Sequence, residues 1–425
     1  MNRRTFLAAS AGLLAAGPLA FARVPRPRAA SPNARLGLGF IGMGIQNRGH
    51  LNWALKHAGV QVIGVCDVDT TRRTHAKATA DTHYANAASA SPGVSATKDY
   101  HELLARPDID AVVISTPDHW HINMILDAAA AKKDIYCEKP LTLTLAESRL
   151  AIEAVRKHGV VLQTGSQQRT EHDGRFRQAV DFVRQGRIGT LLSVNVGIGV
   201  SATWCDLPEE APEPGLDWDK WLGPAPVRPY NSILSPRGVH DHYPAWRAYR
   251  EYSGGYITDW GAHHLDIVQW ALSADSSGPI RVLPPHDSQA NRGGKLIYAN
   301  GVEVTHGGPE GITFVGTTGE LFVDRGTLWS RPDHLIKEPP SPEGSVGPGS
   351  KDHRQNWLDC IASRAKPECD VEIGARSIAC AHLLNLAYWH QRPLTWNPQT
   401  WSFENDPEAD TWRDYERRQG FQLPA

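Results

Sequence analysis

Residues 36–50 read LGLGFIGMGIQNRGH, and the fold follows from this stretch. A short apolar strand leads into Gly42-Met43-Gly44, and the residues after it predict a helix. In the motif G-x-G-x-x-G the first glycine permits a tight turn, and the second lets a pyrophosphate approach the backbone and the helix N-terminus. Asn47 replaces the third glycine, but the two glycines that the mechanism needs most are present. Gly42, Met43 and Gly44 are therefore the first candidate residues for binding a dinucleotide.

The next predicted strand, residues 60–67 (VQVIGVCD), ends in an acid. Asp67 follows Gly42 at about the sequence separation at which a carboxylate accepts hydrogen bonds from the adenosine ribose in such motifs. Its alternative role is a helix N-cap, and the glycines upstream favour the ribose. A carboxylate repels a 2′-phosphate, so we expect NAD rather than NADP, although Arg72 and Arg73 lie close enough to leave NADP open.

Strand and helix continue to alternate through residues 34–165. Three more strands are predicted at residues 110–117, 135–138 and 160–165, with helices between them. The first of these ends in Ser115-Thr116-Pro117, whose backbone would lie over the nicotinamide side of the crevice. This alternation predicts a doubly wound parallel sheet, which is a Rossmann domain of the α/β class.

Glu138-Lys139-Pro140 comes at the end of the strand at 135–138. Open α/β sheets bind their ligands beyond the carboxyl ends of the strands, so Lys139 places a cation where a ligand lies. A single lysine at a strand end is usually solvated or ion-paired. The nucleotide-binding pattern around Lys139 makes it the candidate on which the chemistry centres.

A second group of polar residues opens a predicted helix at residues 257–266 (ITDWGAHHLD). Asp259 and His263 are four residues apart, so a helix places both on one face, one turn apart. Asp266 follows three residues later on nearly the same face. Residues 218–230 before this helix are rich in proline and predict a long loop of the kind that often forms a lid.

The composition limits the possible functions. A chain of 425 residues predicts two domains, and 41% apolar with 21% charged residues describes a globular protein. The formal net charge of −2 gives no basic field for nucleic acid. The 14 Trp residues fill a core or stack on sugars. The six Cys lack zinc spacing and predict no obligatory disulfide.

The N-terminal residues predict export. Arg3-Arg4 begins a twin-arginine pattern, an apolar stretch follows, and Ala20-Phe21-Ala22 is a small-x-small cleavage site. We expect a Tat signal that is cleaved near Ala22 and a linker to residue 33. The Tat machinery exports folded proteins, so the mature protein would be periplasmic or secreted and would acquire its cofactor before export.

Four features together resemble the glucose–fructose oxidoreductase, inositol dehydrogenase and MocA (Gfo/Idh/MocA) family. They are the Gly42-Met43-Gly44 turn, the strand ending in Asp67, Ser115-Thr116-Pro117 with His121 beyond it, and Glu138-Lys139-Pro140. The resemblance covers nearly all of the chain after the signal. It implies the Rossmann domain at 34–165 and, at 166–400, an α+β domain for substrate and oligomer contacts with a large, open, mostly antiparallel sheet. Residues 401–425 are expected to pack back on the body.

Strands for that second sheet are predicted at residues 280–282, 294–300, 302–306, 312–316 and 320–324. In the family such a sheet is commonly an oligomer interface, which implies a homodimer or homotetramer. The resemblance also assigns site residues. The implied catalytic residues are Lys139, Asp259 and His263. The cofactor-binding set gains His121, Glu138 and also Lys139. Candidate substrate-binding residues are Arg169, Tyr243, Trp246, Arg247 and His264.

The implied chemistry is the oxidation of a sugar carbinol. A histidine near neutrality suits removal of the hydroxyl proton, and a neighbouring carboxylate would orient the imidazole of His263. Lys139 would donate a hydrogen bond to the oxygen that becomes a carbonyl. His240 and His242, with His263 and His264, form a weak pattern for a metal, so we expect no metal and a role in the substrate pocket.

Three functions remain open from the sequence. The first is an exported NAD(P)-dependent oxidoreductase that acts on a carbohydrate or its derivative. The second is a glycoside hydrolase or lyase that holds NAD tightly and runs a closed cycle of oxidation, elimination and reduction. Export favours such a retained cofactor, because the periplasm has no pool that recycles NADH. The third is a non-catalytic sugar-binding relative.

Overall fold

A computed structural model describes residues 35–87 and 93–424. The predicted Tat signal, its cleavage site near Ala22 and the linker to residue 33 lie outside the described residues. Among the helices of the described ranges, none is both long and apolar enough to cross a membrane.

The first half forms a six-stranded parallel sheet. Its strands are β1 (Leu36–Ile41), β2 (Val60–Cys66), β3 (Ser95–Thr97), β4 (Ala111–Ile114), β5 (Asp134–Cys137) and β6 (Leu162–Thr164). They lie in the order β3-β2-β1-β4-β5-β6, and every recorded pairing is parallel. This order reverses between β1 and β4, which is where a Rossmann sheet leaves a crevice for its ligand.

Helices connect these strands and cover both faces. They are α1 (Ile45–Lys56), α2 (Thr70–Asn86), α3 (Tyr100–Leu104), α4 (His121–Ala130) and α5 (Leu145–His158). Apolar residues of α1 and α2 form one core with β1 and β2, whereas α4 and α5 belong to the core on the other face. The strands read as continuous apolar runs because both faces of the sheet are buried.

The second half is built on an antiparallel sheet of eight strands. They are β7 (Leu191–Gly197), β8 (Arg281–Leu283), β9 (Lys295–Ile297), β10 (Glu303–Gly316), β11 (Glu320–Val323), β12 (Leu328–Arg331), β13 (Leu394–Asn397) and β14 (Ser402–Phe403). Its helices are α6 (Arg175–Arg184), α7 (Trp218–Leu222), α8 (Tyr256–Ala271), α9 (His353–Ser363), α10 (Val371–His390) and α11 (Pro407–Thr411). The observed architecture confirms the predicted fold class.

Two local predictions were wrong. The runs at 302–306 and 312–316 form one long strand, β10, because its irregular register with β7 absorbs the glycine-rich residues between them. The predicted loop at 218–230 begins with the short helix α7. The side chain of Asp217 caps α7 by accepting a hydrogen bond from the Lys220 amide at 3.1 Å.

The two halves share one hydrophobic core. Helix α10 packs against α8 of the second half and against α5 of the first. Buried residues such as Ile135 on β5 and Ile378 on α10 belong to the same apolar cluster. Because α8 lies against this shared core, its N-terminal turns face the carboxyl ends of the parallel strands. The candidate site lies in that gap.

Candidate active site

A cavity of about 860 Å³ lies at the carboxyl ends of β1, β2, β4 and β5. Its opposite wall comes from the first turns of α8, residues 234–247 and residues 420–422. This volume is within the range of about 300–1,000 Å³ that is usual for ligand sites. The predicted residues that line it are Gly42, Gly44, Asp67, Ser115, Thr116, Pro117, Glu138, Lys139, Tyr243, Trp246, Arg247, Asp259 and His263.

The glycine turn at the start of α1 fits a pyrophosphate. Gly42 has a φ of +80°, and a Cβ there would lie 2.8 Å from Thr116 Cγ2 and 2.9 Å from the Ser115 carbonyl oxygen. Gly44 begins α1 without a side-chain cap, and the space where its Cβ would lie is open. Free amides and the positive end of the helix dipole therefore face the cavity, as an anionic ligand requires.

Asn47 accounts for the missing third glycine. Its buried side-chain amide donates hydrogen bonds to the carbonyl oxygens of Gly42 at 2.8 Å and of Ile41 at 3.1 Å. These bonds tie the first turn of α1 to the end of β1. The departure from the G-x-G-x-x-G motif therefore reinforces the turn that the first two glycines create.

The sequence left two roles open for Asp67, a helix N-cap and a contact with the ribose, and in the structure Asp69 is the N-cap. The side chain of Asp69 caps α2 by accepting hydrogen bonds from the amides of Thr71 at 2.7 Å and Arg72 at 3.0 Å. Asp67 lines the cavity instead, and its carboxylate accepts hydrogen bonds from the Met43 amide at 2.6 Å and the Asp69 amide at 2.8 Å. Burial raises the pKa of Asp67 above its usual value. Its position suits a contact with ribose hydroxyls.

Arg72 and Arg73, the two arginines that could favour NADP binding, both donate hydrogen bonds within the protein. Arg72 is buried and donates to the carbonyl oxygens of Pro236 and, at 3.2 Å, Gly238. Arg73 donates to the carbonyl oxygen of Asp67. Both guanidinium groups therefore donate hydrogen bonds to backbone carbonyl oxygens of the protein.

Glu138 is the buried anion next to Lys139. Its Oε1 lies 2.8 Å from His50 Nε2 and accepts hydrogen bonds from Gln46 Nε2 at 3.1 Å and Gln167 Nε2 at 3.2 Å. Burial alone would raise its pKa, but the hydrogen bond and charge of His50, with the charge of Lys139, hold the pKa of Glu138 at about 2. Glu138 is therefore ionised and fixes the strand end that carries Lys139.

Lys139 and Asp259 meet across the cavity. The ammonium Nζ donates to Asp259 Oδ1 at 2.6 Å, and Arg247 Nε lies 3.5 Å from the same oxygen. Burial works to raise the pKa of Asp259, but Lys139 and Arg247 outweigh it and lower the pKa below its usual value. Asp259 is therefore an anion that holds two cations at the wall of the cavity.

His263 lies one turn further along α8 and also lines the cavity. Its Nδ1 is buried with no hydrogen-bond partner among the described residues, so Nε2 is the nitrogen that a ligand can reach. Burial, reinforced by the positive charge of Lys139, lowers the pKa of His263 well below its usual value. The imidazole is therefore neutral near pH 7 and able to accept a proton.

The prediction that a carboxylate orients His263 was wrong. Within the described residues the Asp259 carboxylate contacts Lys139 and Arg247 rather than the imidazole. Residues four apart share a helix face, but the stronger charge partners across the cavity draw the carboxylate away.

Arg169 lies outside the cavity, in contrast to its expected substrate-binding role. Its guanidinium is buried and donates to Asp266 at 2.8 Å and to Asp275 at 2.7 Å. Two carboxylates satisfy the cation, so Arg169 is part of the core that supports α8.

His121 and His264 are also placed away from the lining. His121 Nδ1 lies 2.7 Å from the Pro140 carbonyl oxygen and its Nε2 lies 3.1 Å from that of Thr116, so the ring braces two loops of the site. His264 is buried with its ring 5.7 Å from that of Trp260, and burial lowers its pKa to about 4. Both histidines support residues that line the cavity.

One wall of the cavity contains Tyr243, Trp246 and Arg247, which were three of the candidate substrate-binding residues. The Arg247 guanidinium lies 4.2 Å from the ring centroid of Trp246 and 5.1 Å from that of Tyr243. The Tyr243 hydroxyl donates to Gln46 Oε1 at 3.1 Å, which links this wall to α1. Aromatic faces beside a cation suit the apolar and hydroxyl faces of a sugar.

Sequence reasoning missed several charged residues of the lining, among them Asp118 and Arg325. Asp118 accepts a hydrogen bond from Ser253 Oγ at 2.6 Å, and burial raises the pKa of Asp118 to about 7. Arg325 reaches the cavity from the turn between β11 and β12, and its guanidinium lies 4.7 Å from the ring centroid of Trp260. Asp118 directly follows the Thr-Pro motif, and that position could have identified it as a site residue. No local sequence signal marks Arg325.

The histidine pattern at 240 and 242 does not form a metal centre. His240 Nδ1 lies 2.8 Å from the carbonyl oxygen of His242, and only His240 of the pair lines the cavity. Over residues 35–87 and 93–424, no group of three His, Cys, Asp or Glu side chains is arranged to hold a metal ion.

Two family models match this chain in succession. An oxidoreductase family with an NAD-binding Rossmann fold matches residues 36–166, and the C-terminal alpha/beta domain of that family matches residues 182–423. The chain belongs to the Gfo/Idh/MocA oxidoreductase family. The match confirms the expected family and its NAD-binding domain.

Three curated relatives are similar to parts of the chain. An uncharacterized oxidoreductase, YrbE, from Bacillus subtilis is 38% identical over 36% of this chain and 41% of its own. The scyllo-inositol 2-dehydrogenase (NAD(+)) of the same species is 29% identical over 55% of this chain and 59% of its own. A glycosyl hydrolase family 109 protein from Shewanella pealeana is 32% identical over 45% of this chain and 44% of its own. The chain therefore spans about half the length of these relatives.

A solved structure supports the fold. The WlbA dehydrogenase from Bordetella pertussis, in complex with NADH and UDP-GlcNAcA, matches 85% of this chain and 99% of its own with a TM-score of 0.59. Its sequence identity is 18%, so this likeness bears on the architecture alone.

Proposed function

We propose that this protein oxidises a carbinol of a carbohydrate or carbohydrate derivative, with NAD as the hydride acceptor. The observation that carries the proposal is the ion pair of 2.6 Å between Lys139 and Asp259, in the same cavity as neutral His263. A hydrogen-bond donor and a proton acceptor face one space beside a glycine turn that fits a dinucleotide. Oxidation of a carbinol needs both groups.

The residues have distinct parts in the reaction. Lys139 donates a hydrogen bond to the substrate hydroxyl oxygen, and Asp259 holds its ammonium in place. Neutral His263 accepts the hydroxyl proton at Nε2 while the carbon–hydrogen bond breaks and the carbonyl forms. NAD, when bound, takes the hydride. The low pKa of His263 favours release of the proton after the reaction.

The contacts around Asp67 support NAD as the preferred dinucleotide over NADP. Its carboxylate lies at the ribose end of the cavity, and the guanidinium groups of Arg72 and Arg73 bind carbonyl oxygens. A 2′-phosphate would be repelled by this carboxylate, and it would compete with the carbonyl oxygens for the two guanidinium groups. We expect the Kd for NADP to exceed that for NAD by about tenfold or more, measured by calorimetry.

The experiment that tests the reaction measures NADH formation at 340 nm with a panel of inositols, aldoses and anhydro sugars. We expect turnover with at least one of them and oxidised product in an equal amount. A protein that binds NAD but reduces it with none of these polyols would contradict the proposal.

The alternative is a closed redox cycle with retained NAD, in which a glycosidic bond is broken without net NADH. The partial similarity to a glycosyl hydrolase family 109 protein and the export pattern support it. Released NAD(H) near one per chain after denaturation, with free sugar formed from an aryl glycoside and no NADH, would favour this cycle. An apo protein that requires added NAD would exclude it.

Export by the Tat machinery to the periplasm or outside the cell belongs to the same proposal. The twin arginines Arg3 and Arg4 support it. Replacing both by lysine should retain the protein in the cytoplasmic fraction, with the unchanged chain as the control. Export of the doubly substituted chain at the normal level would refute this route.

A homodimer or homotetramer through the second sheet is the proposed assembly. The large apolar side chains of Leu192 on β7 and Trp329 on β12 are exposed, which supports a contact on these strands. Light scattering after chromatography gives the mass, and Trp329→Glu should lower it. A monomeric unchanged protein would contradict this assembly.

A further inference from the structure

Residues 417–424 cross from the second half of the chain to the first. Arg417 Nη2 lies 2.5 Å from Glu147 Oε1 on α5, and both side chains are buried. The next residue, Arg418, forms an ion pair with Asp219 at 2.8 Å and donates its amide to the Pro224 carbonyl oxygen at 3.1 Å. These contacts fix the direction of the segment before it reaches the cavity.

Phe421 lies at the point where this segment meets the cavity. Its ring packs edge-to-face on Trp120, with centroids 5.5 Å apart. The indole nitrogen of Trp120 donates to the Trp221 carbonyl oxygen at 3.0 Å, so the surface beneath Phe421 is fixed. Gly420, Phe421 and Gln422 all line the cavity.

The order of the strands shows which end of the cavity this is. In the sheet β3-β2-β1-β4-β5, Asp67 follows β2 and Lys139 follows β5, so the ribose and the reacting carbon are at different ends. Trp120 also packs against Tyr100 on α3, which follows β3, with ring centroids 6.0 Å apart. Trp120 itself follows β4, but its partner Tyr100 follows β3, whose last residue, Thr97, accepts a hydrogen bond from the Asp67 amide at 3.2 Å. The segment that carries Phe421 therefore borders the part of the cavity that includes Asp67.

We propose that residues 420–422 form part of the binding site for the adenosine half of the cofactor. Arg417 and Arg418 act as positioning residues that hold this segment against α5 and α7. The Phe421 ring supplies an apolar surface at the adenine end, and Trp120 keeps it in place. Because this wall comes from a segment distant in sequence from the Rossmann fold, the sheet alone forms an incomplete cofactor site. This inference rests on NAD binding at the cavity and not on the identity of the substrate.

The test uses the full chain and probes that resemble each half of the cofactor. Calorimetry gives the Kd of NADH, of ADP-ribose and of reduced nicotinamide mononucleotide for the unchanged protein and for Phe421→Ala. We expect the variant to weaken NADH and ADP-ribose by about tenfold, because an aromatic contact of this kind contributes about one factor of ten. The Kd of the mononucleotide should stay the same.

Trp412→Ala is the matched control. This residue belongs to the same C-terminal region but stacks on His390, with ring centroids 3.4 Å apart, and does not line the cavity. It should leave all three Kd values unchanged, and Phe421→Tyr should restore tight binding. Equal weakening by Trp412→Ala would show general loosening of the segment and overturn the proposal.

The outcome is independent of the proposed reaction. Unchanged ADP-ribose binding by Phe421→Ala would overturn this inference alone. If Phe421→Ala weakens ADP-ribose binding but the unchanged protein oxidises no polyol, the proposed function is contradicted and this inference still holds.

Discussion

Helix α8 carries two carboxylates, one partly buried and one fully buried, that bind cations in similar geometry and serve different purposes. Asp259 binds Lys139 at 2.6 Å and Asp266 binds Arg169 at 2.8 Å. The Asp259 side chain keeps 13% of its surface exposed to the cavity, whereas that of Asp266 keeps 0%. The two pairs are similar in distance and differ in access to a ligand.

Access decides what each pair is able to do. The Lys139 ammonium lines the cavity and can donate to a ligand, while Arg169 is enclosed by Asp266 and Asp275. A buried pair contributes little net stability, but removal of one partner leaves an uncompensated charge. We therefore expect substitutions at the first pair to change the rate and substitutions at the second to change folding.

Replacing Lys139 by Ala should have the largest effect. We expect kcat/KM to fall by about 1,000-fold or more, because the donor to the reacting oxygen is lost. The Kd for NADH and the melting temperature should change little, since the cavity admits water. Steady-state kinetics with calorimetry measures both. Turnover near that of the unchanged protein would remove Lys139 from the chemistry.

Replacing Arg169 by Ala should act on stability instead. Asp266 is then a buried charge with one fewer partner, and we expect a loss of about 3–5 kcal/mol in the free energy of unfolding. Urea unfolding followed by fluorescence gives the value, and Lys139→Ala is its matched control. If Arg169→Ala folds normally and loses only activity, the division between the two ion pairs is wrong.

Replacing His263 by Gln tests the proton acceptor beside the first pair. We expect kcat to fall by about 100-fold, at the low end of the range for loss of a general base. The lowered pKa of His263 keeps the imidazole neutral at acid pH, so the acid limb of kcat/KM for the unchanged enzyme should lie below pH 6.5. An acid limb centred above pH 7 would contradict the role of this group.

Replacing Asp118 by Asn should have the smallest effect, a shift of a few degrees in melting temperature. The pKa of Asp118 in the folded protein is about 7, above its usual value of 3.8. The folded state therefore holds a proton that the unfolded state has lost, and stability falls as pH rises through this window. Asn carries no titrating proton and avoids this loss. The melting temperature of the variant relative to that of the unchanged protein should therefore increase from pH 4 to 7. A difference that is constant with pH would refute this.

The Rossmann half could be predicted because its signals are local. An apolar run, a glycine turn and a helix start occur within the fifteen residues from 36 to 50, and each is governed by nearby backbone geometry. The same holds for the pair of residues 259 and 263 on one helix. The second sheet was predicted only in part, since the merging of two runs into β10 depends on pairing with the distant β7.

The sequence did not show which of the candidate residues line the cavity and which lie outside it. Lys139 and Asp259 are 120 residues apart, and Arg169 and Asp266 are 97 apart. Nothing in the two sequence separations distinguishes a pair that faces a ligand from one that supports a helix. Arg325 and Phe421 likewise reach the cavity from segments without a motif.

The sequence by itself determined the fold class, the nucleotide-binding turn and the identity of Lys139, Asp259 and His263 as candidates. Those features depend on residue type, spacing and backbone conformation over a few turns of chain. The tertiary structure decided that Asp259 binds Lys139 rather than His263, that Arg169 belongs to the core, and that residues 420–422 line the cavity. Each of these depends on how distant segments pack, because burial and charge contacts arise only when the chain is folded.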